Sequence, residues 1–107
     1  MPITQISATA LKTRIENEPG LFLLDVRQAN EFEYAHIENS VLIPLNQIPQ
    51  RLGELNSQQD IVVICHHGVR SQQACMFLAG VGFGNIANLI GGIDAWSCEC
   101  DSSLPRY

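Results

Sequence analysis

Apolar residues in this chain come in short blocks separated by Gly, Pro and polar turns. Ser7 stands where an N-cap is expected, ahead of a helix over residues 8–17 with Leu11 and Ile15 one turn apart on one face. Pro19-Gly20 ends it. Leu21-Phe22-Leu23-Leu24 is a continuous apolar run of strand length, the pattern of a strand covered on both faces. Residues 30–35 read as a short helix, and Val41-Leu42-Ile43 as the next strand, stopped by Pro44. Residues 45–52 are helical in pattern, with Leu45, Ile48 and Leu52 on one face and Gly53 as the stop. The clearest strand is Ile61-Val62-Val63-Ile64, four β-branched residues in a row. The clearest helix is 71–81, where Ala74, Phe77, Leu78 and Val81 fall at i, i+3, i+4 and i+7, with Gly82 closing its end. Residues 85–90 read as a last strand, Gly91-Gly92 as a turn, and the residues after Trp96 as an exposed tail.

Strands alternating with helices predict an α/β fold with a mostly parallel sheet. A chain of 107 residues suits one domain over 1–107. Charged residues make up only 16% of the chain, in keeping with strands buried on both faces. The net charge is -5, and the six Lys and Arg residues are scattered. No basic stripe is present to neutralise phosphates, so nucleic acid is not an expected partner. No apolar run approaches the roughly 20 residues of a membrane span. The first residues carry no basic, apolar leader, and a cytoplasmic location is expected.

The cysteines are Cys65, Cys75, Cys98 and Cys100. No C-x-x-C pair is present, which argues against a metal site, and nothing marks a disulfide framework. In parallel sheets, ligands sit outside the carboxyl ends of strands. The segment leaving the clearest strand is Cys65-His66-His67-Gly68-Val69-Arg70-Ser71. A tight loop turning at Gly68 into a helix start aims several backbone N–H groups at one point, and the helix dipole and Arg70 add positive charge there. All three favour thiolate over thiol at Cys65. The bland alternative, Cys65 as a small core hydrophobe, sits poorly beside His66-His67-Gly68.

That loop resembles the active-site loop of rhodanese domains, and the likeness extends along the chain. Leu23-Leu24-Asp25-Val26-Arg27 is similar to the family's "D-V-R" strand end. Glu31-Phe32 with His36-Ile37 is similar to its "E-[FY]…G-H-I" segment, and Ile43-Pro44 to its "I-P". Gly82-Phe83, Asn85-Ile86 and Leu89-Ile90-Gly91-Gly92-Ile93-Asp94-Ala95-Trp96 are similar to its closing pattern. Two turns depart from the family: Ala35 stands in place of the usual Gly, and Glu38-Asn39-Ser40 in place of Pro-Gly-Ala.

The resemblance implies a parallel sheet of about five strands with helices on both faces. It implies sulfur transfer in two steps through a persulfide on Cys65, from a small anion such as thiosulfate to cyanide, a thiol or a sulfur-acceptor protein, with no cofactor and no metal.

His66, His67, Gly68, Val69, Arg70 and Ser71 are expected to bind substrate through loop amides and side chains. Arg70 would meet the anion. His66 and His67 would shape the rim or move protons near neutral pH. Ser71 most simply caps the helix, or faces the bound anion. Asp25 and Arg27 end another strand and are expected behind the loop or against the substrate. His36 and Cys75 are read as structural, Cys98 and Cys100 as exposed free thiols, and Trp96 as an apolar anchor. Two rival functions differ in sequence. Cysteine-dependent phosphatases and arsenate reductases use C-x5-R, whereas Cys65 and Arg70 are spaced C-x4-R, a smaller cradle. Rhodanese-like domains that serve only as binding modules lack the cysteine, which is present here.

Overall fold

A computed structural model describes residues 3–107. Five parallel strands form one sheet in the order β1-β5-β4-β2-β3. They are β1 (Thr4–Ile6), β2 (Phe22–Asp25), β3 (Val41–Leu42), β4 (Ile61–Ile64) and β5 (Ile86–Leu89). The helices are α1 (Ala8–Asn17), α2 (Ala29–Tyr34), α3 (Val69–Gly80) and α4 (Gly92–Glu99).

The central strand explains the two-sided core. Side chains alternate across a strand, so a run of four apolar residues must be covered on both faces. Ile61 and Val63 pack with Ile48, Ala74, Leu78 and Phe83, on the side of α3 and the 3-10 turns. Val62 and Ile64 pack with Leu11, Leu89, Ile93 and Trp96, on the side of α1 and α4. Trp96 is 8% exposed and anchors α4 on this second layer, as its apolar neighbours predict.

Several boundaries are corrected. Residues 4–6 form an edge strand that the sequence pattern does not announce, being short and mostly exposed. Residues 45–52 form no α-helix: 3-10 turns cover Leu45–Gln50 and Leu52–Glu54, so Gly53 lies inside the second turn. Pro49, which has no N–H, sits within the first. The helix expected at 71–81 runs from Val69 to Gly80, with Gly68 at its N-cap. Phe83 N–H bonds the Leu78 carbonyl (3.0 Å) and Gly82 N–H the Ala79 carbonyl (3.2 Å), the closing pattern expected at Gly82. Gly91-Gly92 is no simple turn but opens α4, which runs on past Trp96 and carries Cys98, exposed as expected, on a helix rather than in a tail.

The two departures from the family's turns prove compatible with this backbone. Ala35 is extended at φ -160°, which any residue adopts. Asn39 takes a left-handed φ of 70°, a conformation asparagine tolerates, and Ser40 ties the turn to the Ile37 carbonyl through its N–H (3.1 Å) and hydroxyl (2.6 Å).

Candidate active site

The carboxyl end of β4 delivers Cys65 into a loop that must turn back at once into α3. Gly68 makes that turn at φ 109°, a backbone state that side chains resist. Its N–H then donates to Cys65 Sγ at 3.0 Å. Ser71 Oγ lies 3.3 Å from the same sulfur. Several amides are expected on the sulfur; one amide and one hydroxyl contact it among the described residues. Cys65 is 1% exposed, its inner side set in the core beside Cys75.

Ser71 does not cap α3, because the helix starts at Val69 and the cap position falls to Gly68. Ser71 is fully buried, and its hydroxyl donates to Asn88 Oδ1 on β5.

The loop is also held from behind. The N–H groups of Ile93 and Asp94, in the first turn of α4, donate to the carbonyls of Cys65 (2.8 Å) and His66 (3.2 Å). Gly92 permits this approach: a Cβ there would stand 2.3 Å from the Cys65 carbonyl oxygen and 2.5 Å from that of His66. The Gly91-Gly92 pair is thus a contact surface for the loop.

Arg70 is not a free cation. It makes two bonds to Glu31 on α2, at 2.6 and 2.9 Å. The guanidinium holds the Glu31 carboxyl down at about 2 against the opposing effect of burial. Behind this pair lies a second one. Arg27 is fully buried and bonds Asp25 through Nε (2.9 Å) and Nη2 (2.6 Å), and Nη2 also donates to the Ala35 carbonyl at 2.6 Å. Asp25 and Arg27 therefore build the wall beneath Glu31.

Tyr107 joins the two pairs. Arg27 Nη1 donates to the Tyr107 hydroxyl at 2.7 Å, which donates to Glu31 Oε2 at 2.8 Å. The Tyr107 ring stacks on His66, with centroids 4.0 Å apart and planes at 5°. Burial pushes the His66 imidazole below its usual value, which keeps it neutral near pH 7. His67 is exposed, with Nε2 3.9 Å from Asp94 Oδ2. His66, His67 and Asp94 could offer metal ligands, their atoms lying within 4.8 Å of one another. Arg106 already occupies the Asp94 carboxylate at 2.9 and 3.2 Å, so a cation would have to displace it.

Val69 presents its side chain outward at 69% exposure and shares the loop only through its backbone. His36 donates from Nδ1 to the Phe32 carbonyl (2.7 Å) and stacks on that ring. Burial pushes the Cys75 thiol up to about 12. Cys98 is exposed on α4, and Cys100 is half-buried at its end.

Sequence reasoning missed three contributors. Glu31 appears in a motif, but no spacing links it to Arg70. Asn88 left a signal, a lone amide in the apolar strand Ile86–Leu89. Tyr107 left none.

The family model for the rhodanese-like domain matches residues 7–99. The chain is 38% identical over 95 residues to YrkF of Bacillus subtilis, whose name suggests a sulfur carrier protein; 89% of this chain and 51% of YrkF are covered, so the chain spans about half of that relative. It is 35% identical over 79 residues to the thiosulfate sulfurtransferase GlpE of Pseudomonas savastanoi, covering 74% of each. A crystal structure of a rhodanese-related protein from Thermoplasma volcanium superposes with a TM-score of 0.82 at 34% identity, covering 91% of this chain and 93% of that one.

Two predictions follow from this geometry. Gly92→Ala forces a Cβ into the Cys65 carbonyl and should cost about 1–3 kcal/mol of stability by overpacking. Urea unfolding reads the cost, and amide NMR shifts confined to residues 65–68 and 92–94 mark its origin. Unchanged spectra there would remove the clamp.

Glu31 is ordinarily protonated below 4.5 but is held at about 2 in the folded chain. A lowered carboxyl stabilises the fold fully above its unfolded value and loses that contribution as pH falls through the folded value. The Glu31 carboxyl carbon should therefore titrate near pH 2 in NMR; a midpoint near 4.5 would mean that Arg70 is free.

Proposed function

The chain belongs to the rhodanese-like domain family, and from that premise we propose that it is a sulfurtransferase carrying sulfane sulfur on Cys65. The observation that carries this reading is the sulfur of Cys65 at the exit of β4, facing the Gly68 amide and the Ser71 hydroxyl in a C-x4-R loop.

Thiosulfate is a suitable donor. The Cys65 thiolate attacks the outer sulfur of thiosulfate, a new S–S bond forms, and sulfite leaves with the electrons of the broken S–S bond. The enzyme then holds a persulfide anion. Cyanide, a small thiol or a cysteine of an acceptor protein attacks the outer sulfur and restores the thiolate. Splitting one transfer into two in this way is covalent catalysis, and neither half needs a metal or an organic cofactor.

Other residues take supporting roles. Gly68 N–H and Ser71 stabilise anionic sulfur, as preorganised donors do. The remaining loop residues, His66, His67 and Val69, frame the approach. Arg70 receives the donor anion in competition with Glu31, which is already bound to it. Asp25 and Arg27 keep Glu31 and the wall in place. Cys75, with its thiol held up at about 12, is no rival nucleophile.

Cys65→Ser should abolish sulfur transfer while the fold persists. In the unaltered protein, thiosulfate should add the mass of one sulfur atom to the peptide bearing Cys65, and cyanide should remove it. Sulfur mass on another cysteine, or turnover in a folded Cys65→Ser protein, would overturn the assignment.

Glu31→Gln weakens the hold on Arg70. It should lower the KM for thiosulfate by about two- to fivefold, the worth of a partly exposed ion pair. Arg70→Ala should raise it. A KM unmoved by either change takes Arg70 out of the donor site and leaves Cys65 in place.

A further inference from the structure

We propose that Asn88 is a positioning residue for Cys65, fixing through one amide both groups that contact the sulfur. The inference rests on Cys65 being the reacting group.

Asn88 is 5% exposed on β5, between Ala87 and Leu89 in an otherwise apolar strand. A buried amide that served packing alone would be replaced at no loss by leucine, so its hydrogen bonds carry its meaning. Nδ2 donates to Gln5 Oε1 at 3.0 Å and to the Gly68 carbonyl at 3.3 Å. Both partners are acceptors, which fixes which way the amide faces. Oδ1 must then point at Ser71, and it accepts the Ser71 hydroxyl proton. Gln5 is fixed in turn, donating from Nε2 to Gln72 Oε1 on α3 at 2.9 Å. The amide is thus braced by the edge strand and the helix together.

The consequence falls on the sulfur. Ser71 has one hydroxyl proton. While Asn88 accepts it, Ser71 offers Cys65 a lone pair, and the thiol S–H donates to it across 3.3 Å. When the sulfur turns anionic, as thiolate or persulfide, the Ser71 proton must rotate onto it. That rotation gives up the Ser71 bond to Asn88 Oδ1, so Asn88 acts on Ser71 by having set its position beside the sulfur beforehand. Through Nδ2 it also holds Gly68, whose N–H is the other donor to the sulfur. Loss of the amide should leave both donors misplaced, while Arg70, which Asn88 does not contact, should bind the donor anion as before.

The test compares Asn88→Leu, Ser71→Ala and the double variant in the full chain. Iodoacetamide alkylation of the Cys65 peptide, followed by mass spectrometry, reads the sulfur independently of any donor. Asn88→Leu should slow it about tenfold, as expected for a hydrogen bond to a charged group. On the Ser71→Ala background the same change should slow it clearly less, because part of its effect passes through Ser71. With thiosulfate, kcat should fall while KM holds. Equal effects on both backgrounds, or a wild-type alkylation rate in Asn88→Leu, would overturn the proposal. If Asn88→Leu does not fold, Asn88→Thr, β-branched as the strand prefers, must show the slowed alkylation and the coupling. If the wild type alkylates readily but transfers no sulfur, the proposed function fails while the role of Asn88 is still decided by the alkylation cycle.

Discussion

The candidate site depends on one close approach, that of the first turn of α4 to the back of the Cys65–Gly68 loop. Helix starts leave backbone N–H groups without partners inside the helix. Here two of them, from Ile93 and Asp94, meet the carbonyls of Cys65 and His66. The loop carbonyls are thereby turned away from the sulfur, and the loop's own N–H groups are free to face it. Gly68 N–H does so at 3.0 Å. A side chain at Gly92 would occupy the space of the Cys65 carbonyl, so the direction of the Cys65 and His66 carbonyls depends on a missing Cβ more than twenty residues away. Trp96, four residues further on, packs α4 against Leu11 and β5 and keeps that first turn in register with the loop.

Charge at the site is arranged in closed pairs. Asp25 with Arg27, and Glu31 with Arg70, leave no net charge among the four side chains. Removing one partner of a buried pair strands the other, so the inner pair is a fixed wall. The outer pair is one-third exposed at Arg70 and can exchange partners. Under the proposed function, an anionic donor arriving at Arg70 would meet a cation already satisfied, and its binding free energy would be the difference between two ion pairs. This would favour selectivity over affinity. The Tyr107 hydroxyl, donating to Glu31 and accepting from Arg27, tightens the same exchange.

Much of the fold was legible because it is written in local pattern. The β-branched run 61–64 and the apolar run at 21–24 can be covered only from two sides, and strand-helix alternation then leads to a parallel sheet. Ser7 caps α1 as its position suggests, accepting from Ala10 N–H at 3.2 Å. The failures share a cause, which is structure set by contacts distant in sequence. β1 exists because β5 offers it a partner, not because Thr4-Gln5-Ile6 is a strong strand sequence. Ser71 looks like a cap, yet the left-handed Gly68 lets α3 begin two residues earlier and turns Ser71 inward. Arg70 is 39 residues from Glu31, and Tyr107 is 76 from it, so neither pairing leaves a trace in spacing. The placement of Cys65 at the head of a tight loop was legible for the opposite reason: strand end, glycine and helix start are consecutive.

Burial of Cys65 bears on which state of the sulfur the site suits. One side of the sulfur faces Cys75 and the apolar core, where a negative charge is penalised; the other faces the Gly68 amide and the Ser71 hydroxyl. An anion on Sγ would therefore meet hydrogen-bond partners on one side only. A persulfide shifts most of the charge onto the outer sulfur, about 2 Å further along the bond. In the proposed persulfide the charge would move away from the packed core, to the side on which the loop and the start of α3 lie. Under the proposed chemistry the loaded form would be penalised less by the core than the unloaded thiolate. Under the proposed function such a site would favour holding sulfur over releasing it, and transfer would wait on a nucleophile able to reach the outer atom.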